Sequence, residues 1–166
     1  MKLTINSGNH RPCPPIISRP IFNFNQQKTF QFTDSCWWWF YDPDKDGDWS
    51  KIIGFINGFN IHGESYRFGF RPHKENGFYE ITPYIYQCGI RLDELIIIKK
   101  ELKNPINLSI KLIKDEVYFD VDQINVYKIK IVKKSYLGFT TGIYIGGGTK
   151  SGKDWSAPHK IILYTK

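Results

Sequence analysis

Ser65-Tyr66-Arg67-Phe68-Gly69-Phe70-Arg71 alternates strictly between aromatic residues and small or charged ones. Successive side chains of a β-strand point to opposite faces, so Tyr66, Phe68 and Phe70 form an aromatic underside. Ser65, Arg67, Gly69 and Arg71 face the other way. The segment reads as a half-buried strand whose polar face offers a hydroxyl, two guanidinium groups and, at Gly69, a clear space between them.

Outward from this strand the same period recurs. Phe78 to Cys88 follows, with Asn76-Gly77 as the hairpin signal between them, and Tyr84 and Tyr86, two residues apart, share a face. Further strands are expected at Lys51 to Phe59, Leu95 to Lys100, Ile106 to Ile113, Val117 to Val121, Ile124 to Val132, Gly138 to Ile145 and Lys160 to Thr165. Phe22 to Phe24 and Phe30 to Phe32 also alternate, and Lys114-Asp115-Glu116 marks a second hairpin. The aromatic run Trp37 to Tyr41 is expected to plug one end of the core, and Gly146-Gly147-Gly148 to open a flexible loop. No stretch carries a sustained helical period. So many strands at hairpin spacing predict an all-β fold, a two-sheet antiparallel jelly-roll sandwich.

The 166 residues suffice for one domain with a core of its own. An N-terminal arm with the first strands, residues 1–33, precedes a jelly-roll body, residues 34–166. Pro12, Pro14, Pro15 and Pro20 make His10 to Pro20 an extended arm, a candidate to wrap an edge, or a loop. Hydrophobic residues are 41% and aromatics 16%, which excludes a disordered or fibrous chain. Cys13, Cys36 and Cys88 are an odd number with no CxxC pair, against a disulfide framework or structural zinc. The start Met1 to Gly8 lacks an apolar signal core, and no segment is long enough to span a bilayer. The expected location is cytoplasmic as synthesised, or virion-associated if phage-encoded.

Twenty-three Lys and Arg against 16 Asp and Glu give +7, a field that draws polyanions of any kind. Arginine grips a carboxylate at two points, and tyrosine offers both a ring for stacking on a sugar and a phenol that moves protons. The face carrying Arg67, Arg71, Tyr84 and Tyr86 therefore suits an acidic polysaccharide or surface glycan. An ordinary solvated sheet face would show the same pattern.

Trp49-Ser50-Lys51-Ile52-Ile53-Gly54, Ser65-Tyr66-Arg67 and Tyr84-Ile85-Tyr86 resemble the K-L-P-G, S-x-R and Y-x-Y elements of the family-14 polysaccharide lyases. Gly142 to Gly148, followed by Trp155-Ser156-Ala157-Pro158-His159, is similar to the closing F-F-G-G and W-A-P segments of such concanavalin-like jelly rolls. The resemblance covers about Trp49 to Tyr86 and Leu137 to Tyr164; Ile53 stands where the family has proline. It implies a cleft lined by Lys51, Ser65, Arg67, Tyr84 and Tyr86, and β-elimination of a uronate chain. Lys51 and Arg67 would neutralise the carboxylate, a tyrosine would move the protons, and Ser65 would hold the substrate. Gly8-Asn9-His10 near the start and Ala157-Pro158-His159 near the end also resemble small proteins of gut bacteria and their phages.

Arg71, His62 and His159 are the further substrate-binding candidates, the histidines as cleft-rim groups. For any of His10, His62, His73 and His159 a plain loop role is the alternative. Asp42, Asp44, Asp46 and Asp48 have the D-x-D-x-D-G form of a calcium loop. The twelfth position is Ile53 rather than Glu, so an acidic turn competes with calcium, and no other cofactor is expected. Gly146 to Lys153 lacks the spacing of a phosphate loop.

The rival to a lyase-like glycan-binding protein is a non-enzymatic phage virion component, a capsid decoration or tail accessory that would assemble or form a homo-oligomer. Nucleic-acid binding fits less well, since neither a recognition helix nor an RNP-like pattern is present.

Overall fold

The computed structural model describes residues 1–12, 20–21, 24–37, 49–92, 96–132, 135, 137–148 and 154–166. In chain order the strands are β1 (Lys2–Ile5), β2 (Pro20–Ile21), β3 (Asn25–Phe32), β4 (Ser50–Asn57), β5 (Ser65–Pro72), β6 (Phe78–Gln87), β7 (Ile90–Leu92) and β8 (Ile98–Glu101). They continue as β9 (Ile106–Ile113), β10 (Glu116–Val121), β11 (Ile124–Lys130), β12 (Gly138–Thr141), β13 (Gly147–Gly148), β14 (Asp154–Trp155) and β15 (Ile161–Thr165). One helical turn, Asp34–Cys36, follows β3. Among the described residues no helix is long and apolar enough to cross a membrane.

Two antiparallel sheets make the sandwich. One has six strands in the order β1-β15-β3-β9-β10-β11. The other has seven, β2-β12-β4-β5-β6-β7, with β8 alongside β7 on the same edge of β6. The all-β jelly-roll reading therefore holds. Hydrophobic alternation dictates the inner faces: Phe30, Phe32, Leu108, Ile110, Phe119 and Leu163 from one sheet meet Phe55, Tyr66, Phe68, Phe70, Tyr79 and Ile81 from the other. Aromatic rings interdigitate across the gap, with Phe32 5.0 Å from Phe70 and 4.3 Å from Tyr79, and Phe68 edge-on to Phe119 at 5.3 Å. Offset and edge-on geometries of this kind add to the burial itself.

Within residues 1–33, β1 pairs β15, and β3, which takes in the expected Phe30 to Phe32, lies between β15 and β9 inside the six-stranded sheet. Strand β12 ends at Thr141, and Tyr144 keeps only a single bridge to Lys51. Gly147–Gly148 pairs with Asp154–Trp155, and residues 149–153, where the expected flexible loop would run, lie outside the described residues. Of the aromatic run, Trp37 packs against the core and donates from Nε1 to the His73 carbonyl at 3.0 Å, whereas residues 38–41 lie outside the described residues, as do 13–19 of the arm. Cys36 and Cys88 are free thiols.

Candidate functional site

The outer face of the seven-stranded sheet is a lattice of opposed residues, which share a face wherever they pair. One row runs Phe139, Ile56, Ser65, Tyr86, Arg91 across five strands. The next runs Thr141, Gly54, Arg67, Tyr84. A third runs Lys51, Gly69, Thr82, with Tyr144 bridged to Lys51. Plain alternation from Lys51 would turn Ile53 outward and position 54 into the core. A bulge between Lys51 and Gly54 resets the phase, so Ile52 and Ile53 are both buried in the core while Lys51 and Gly54 share the site face.

Gly54 is what lets Arg67 lie where it does. A Cβ at position 54 would fall 2.2 Å from the Tyr66 carbonyl oxygen, 2.5 Å from Arg67 Cα and 2.7 Å from Arg67 Cγ. Arg67 crosses this gap with its Cζ 5.0 Å from the Tyr84 ring centroid and 5.9 Å from that of Tyr86. Lys51 Nζ stands 4.8 Å from the Tyr84 ring and 5.8 Å from the Tyr144 ring, and donates to the Gly146 carbonyl at 3.3 Å. Arg91 Cζ approaches Tyr84 from a further side at 5.8 Å. Three cations thus surround one phenol ring, an arrangement favoured by the ring quadrupole.

The cluster is deep: Lys51 is 8% exposed, Arg67 5% and Tyr84 7%. Arg67 Nε and Ser65 Oγ are both buried without a hydrogen-bond partner. Burial holds the guanidinium below its ordinary pKa, with Tyr84 and Tyr86 opposing the shift, and no carboxylate among the described residues pairs with it. Glu64, three residues away, is engaged by Tyr66 Oη at 2.7 Å and the Cys88 amide at 3.1 Å. The Tyr84 phenol is pushed up to about 12, first by burial and then by Tyr86, against the pull of Arg91 and Arg67. It stays a proton donor at neutral pH.

Of the residues expected from the sequence, Lys51, Ser65, Arg67, Tyr84 and Tyr86 converge on this face. His62, exposed on the β4–β5 loop, joins them edge-on to Tyr86 at 5.1 Å. Arg71 does not pair with Arg67. The space expected over Gly69 is filled by Trp49, whose Cβ would be 3.2 Å from a Cβ at position 69. Arg71 lies beyond it, its Cζ 4.2 Å from the Trp49 ring and its Nε donating to Glu80 Oε2 at 2.6 Å. His159 is held elsewhere, its Nε2 donating to the Ser35 carbonyl at 2.8 Å beside the helical turn that packs on β15. The acidic loop with Asp42, Asp44, Asp46 and Asp48 lies outside the described residues. Among those described, no three His, Cys, Asp or Glu side chains gather as metal ligands.

The structure adds residues that local pattern did not point to. Gly8-Asn9-His10 and Ala157-Pro158-His159 meet through two backbone bonds, Gly8 N–H to the Ala157 carbonyl at 2.9 Å and Ala157 N–H to the Asn9 carbonyl at 3.1 Å. That junction delivers His10 to Ile145: the Ile145 N–H donates to the His10 carbonyl at 2.7 Å, and His10 Nδ1 donates back to the Ile145 carbonyl at 2.8 Å. The imidazole then stacks on Tyr144, 4.7 Å between centroids and 8° between planes. The only sequence signal for this was the pair of short His-ended motifs.

No protein-family model matches the chain, and no curated protein sequence does. Its fold does have counterparts among solved structures. The catalytic domain of an endo-1,3-beta-glucanase (laminarinase) from Thermotoga petrophila RKU-1 superposes with a TM-score of 0.58 at 10% identity over 99% of this chain and 73% of that one. The laminarinase catalytic domain from Thermotoga maritima MSB8 gives 0.55 at 9% identity over 99% and 74%. A laminarinase from Flavobacterium sp. UMI-01 gives 0.51 at 13% identity over 89% of this chain and 66%, just under two thirds, of that one. At these identities the likeness is one of fold.

Proposed function

We propose that the outer face of the seven-stranded sheet binds an acidic glycan through its carboxylates and cleaves it by β-elimination. The observation that carries this reading is Arg67, 5% exposed, with an unpaired Nε and no carboxylate partner among the described residues. Stripping a guanidinium of water costs several kcal/mol unless an anion repays it. A uronate carboxylate is the ligand that would do so, accepting from Arg67 with Lys51 in support. The half-buried Tyr86 ring offers an apolar face to the sugar, and Ser65 Oγ is a spare hydrogen-bonding group on the same floor.

Those positions also suit elimination. With the carboxylate neutralised by Arg67 and Lys51, the proton on the carbon beside it becomes acidic. A base, Tyr86 or the exposed His62 imidazole beside it, takes that proton. The electron pair forms the new carbon–carbon double bond as the bond to the glycosidic oxygen breaks, and Tyr84, still protonated, donates to the departing oxygen. The residues quoted for the family-14 lyase resemblance are the ones that cluster, and the laminarinase names of the fold's counterparts favour a glycan over a nucleic acid.

The test is ultraviolet absorbance of the unsaturated uronate across polymannuronate, polyguluronate and polyglucuronate, with Arg67→Ala in parallel. A rise that disappears in the variant supports elimination at this site. Binding without any rise removes the lyase step and leaves a glycan-binding protein, one form of the virion-component reading, which stands with or without glycan binding. Neither binding nor turnover on any acidic polymer overturns the proposal.

A further inference from the structure

Phe59 is 78% exposed, more than any other large apolar side chain among the described residues. A lone exposed Phe is unremarkable on a protein surface, but this one is neither lone nor loosely held. Its ring packs 5.4 Å from Phe139 at 52°, and Phe139 is the first member of the row that continues through Ile56 and Ser65 to Tyr86.

The loop that carries Phe59 is pinned at several points. Gly58, whose φ of +97° suits glycine, donates its amide to the Leu137 carbonyl at 2.8 Å. The Ser135 amide donates to Asn57 Oδ1 at 3.0 Å, and Asn60 Oδ1 accepts from the His62 amide at 2.9 Å. One loop thus sets Phe59 on Phe139 and His62 on Tyr86. An apolar ring kept exposed on a fixed loop is preorganised for a flat apolar partner, because the entropy of ordering it is already lost.

We infer that Phe59 and Phe139 form a stacking subsite for the C–H face of a pyranose ring, next along the chain from the uronate held at Arg67. The inference rests on the glycan reading above and extends it. Strands β5 and β12 are separated only by β4, so the two positions lie about 10 Å apart across the sheet, a span that neighbouring units of one polysaccharide can bridge. The two rings supply no charge, so this subsite reads ring shape rather than carboxylate. It makes affinity depend on chain length.

The test is isothermal titration of the full chain and of Phe59→Ala and Phe59→Trp with oligomannuronates from disaccharide to hexasaccharide, and with a neutral β-glucan hexasaccharide. Phe59 is exposed, so the alanine variant should keep its urea midpoint. The inference predicts that Phe59→Ala binds the hexasaccharide roughly three- to tenfold more weakly, that the deficit shrinks toward the disaccharide, and that Phe59→Trp restores affinity. An unchanged hexasaccharide affinity, or an equal loss at every length, overturns it. If the chain ignores uronates yet binds the neutral oligomer in a Phe59-dependent way, the acidic-glycan reading falls and the subsite stands. Binding of neither oligomer overturns both.

Discussion

Gly54 and Arg67 occupy volumes that overlap as soon as position 54 acquires a side chain: a Cβ there would lie 2.5 Å from Arg67 Cα and 2.7 Å from its Cγ. The neighbouring Tyr66 carbonyl oxygen, at 2.2 Å, belongs to the backbone and cannot swing away. Gly54→Ala should therefore push β4 and β5 apart and displace the guanidinium. The expected cost is about 1–3 kcal/mol of stability, together with loss of acidic-oligosaccharide binding. Urea denaturation and titration calorimetry on one preparation check both. Retained binding at wild-type stability would mean that Arg67 is not seated by this contact.

Arg67 itself should behave in the opposite way. Replacing a buried cation that has no carboxylate partner among the described residues with an apolar side chain of similar length removes a desolvation cost. Arg67→Met should match the wild type or exceed it by about 1 kcal/mol in urea unfolding, while its affinity for oligouronates falls at least tenfold. Residues kept for function at the expense of stability have this signature. A large loss of stability in Arg67→Met would instead give the guanidinium a structural task.

Much of this was legible locally. The alternation in Ser65 to Arg71 and the Tyr84, Tyr86 spacing pointed to four of the five converging residues, because period two survives wherever one sheet face is packed, and Lys51 came from the resemblance to the K-L-P-G element. What escaped depended on contacts with no local period. The bulge at Ile52 and Ile53 shifts phase within a run that reads as continuous apolar strand. Trp49 covers Gly69 from just before β4, and His10 reaches Tyr144 from 134 positions upstream through the Gly8, Asn9 and Ala157 backbone. The short reach of β12 follows from the same limit: Gly142 to Ile145 has strand composition, but Tyr144 and Ile145 spend their backbone groups on Lys51 and His10 instead of a continuing ladder.

Alkaline pH should weaken the fold through the buried phenols. Tyr84 titrates near 10 when unfolded and is pushed up to about 12 when folded. Burial also raises Tyr66 and Tyr79. A raised folded value means the native state holds its proton where the unfolded state has released it. The stabilisation is fully present below pH 10 and is lost as pH climbs through the folded value. For Tyr84 alone the loss is about 2–3 kcal/mol across that window. Tyr84→Phe should flatten part of the decline in unfolding free energy between about pH 10 and pH 12, without changing oligouronate binding affinity at neutral pH by more than a hydrogen bond's worth. Identical pH profiles for the two proteins would show that Tyr84 is not buried as described.

His10 anchors the N-terminal segment to the site. Its Nδ1–H is committed to the Ile145 carbonyl, and its ring covers Tyr144. Tyr144 and Lys51 in turn exchange a pair of backbone bonds, each 2.8 Å, so a disturbance at His10 has a short path to the Lys51 ammonium. His10→Ala removes one side-chain bond and one stacked pair while leaving the backbone bond in place. The expected cost is about 1–2 kcal/mol. Amide exchange at Ile145 and Tyr144 should quicken, and oligouronate affinity should fall by less than in Arg67→Met. Hydrogen exchange resolved by residue reads the first effect and calorimetry the second. Faster exchange with unchanged affinity would confine His10 to holding the strap, whereas a loss equal to that of Arg67→Met would place the imidazole against the ligand itself.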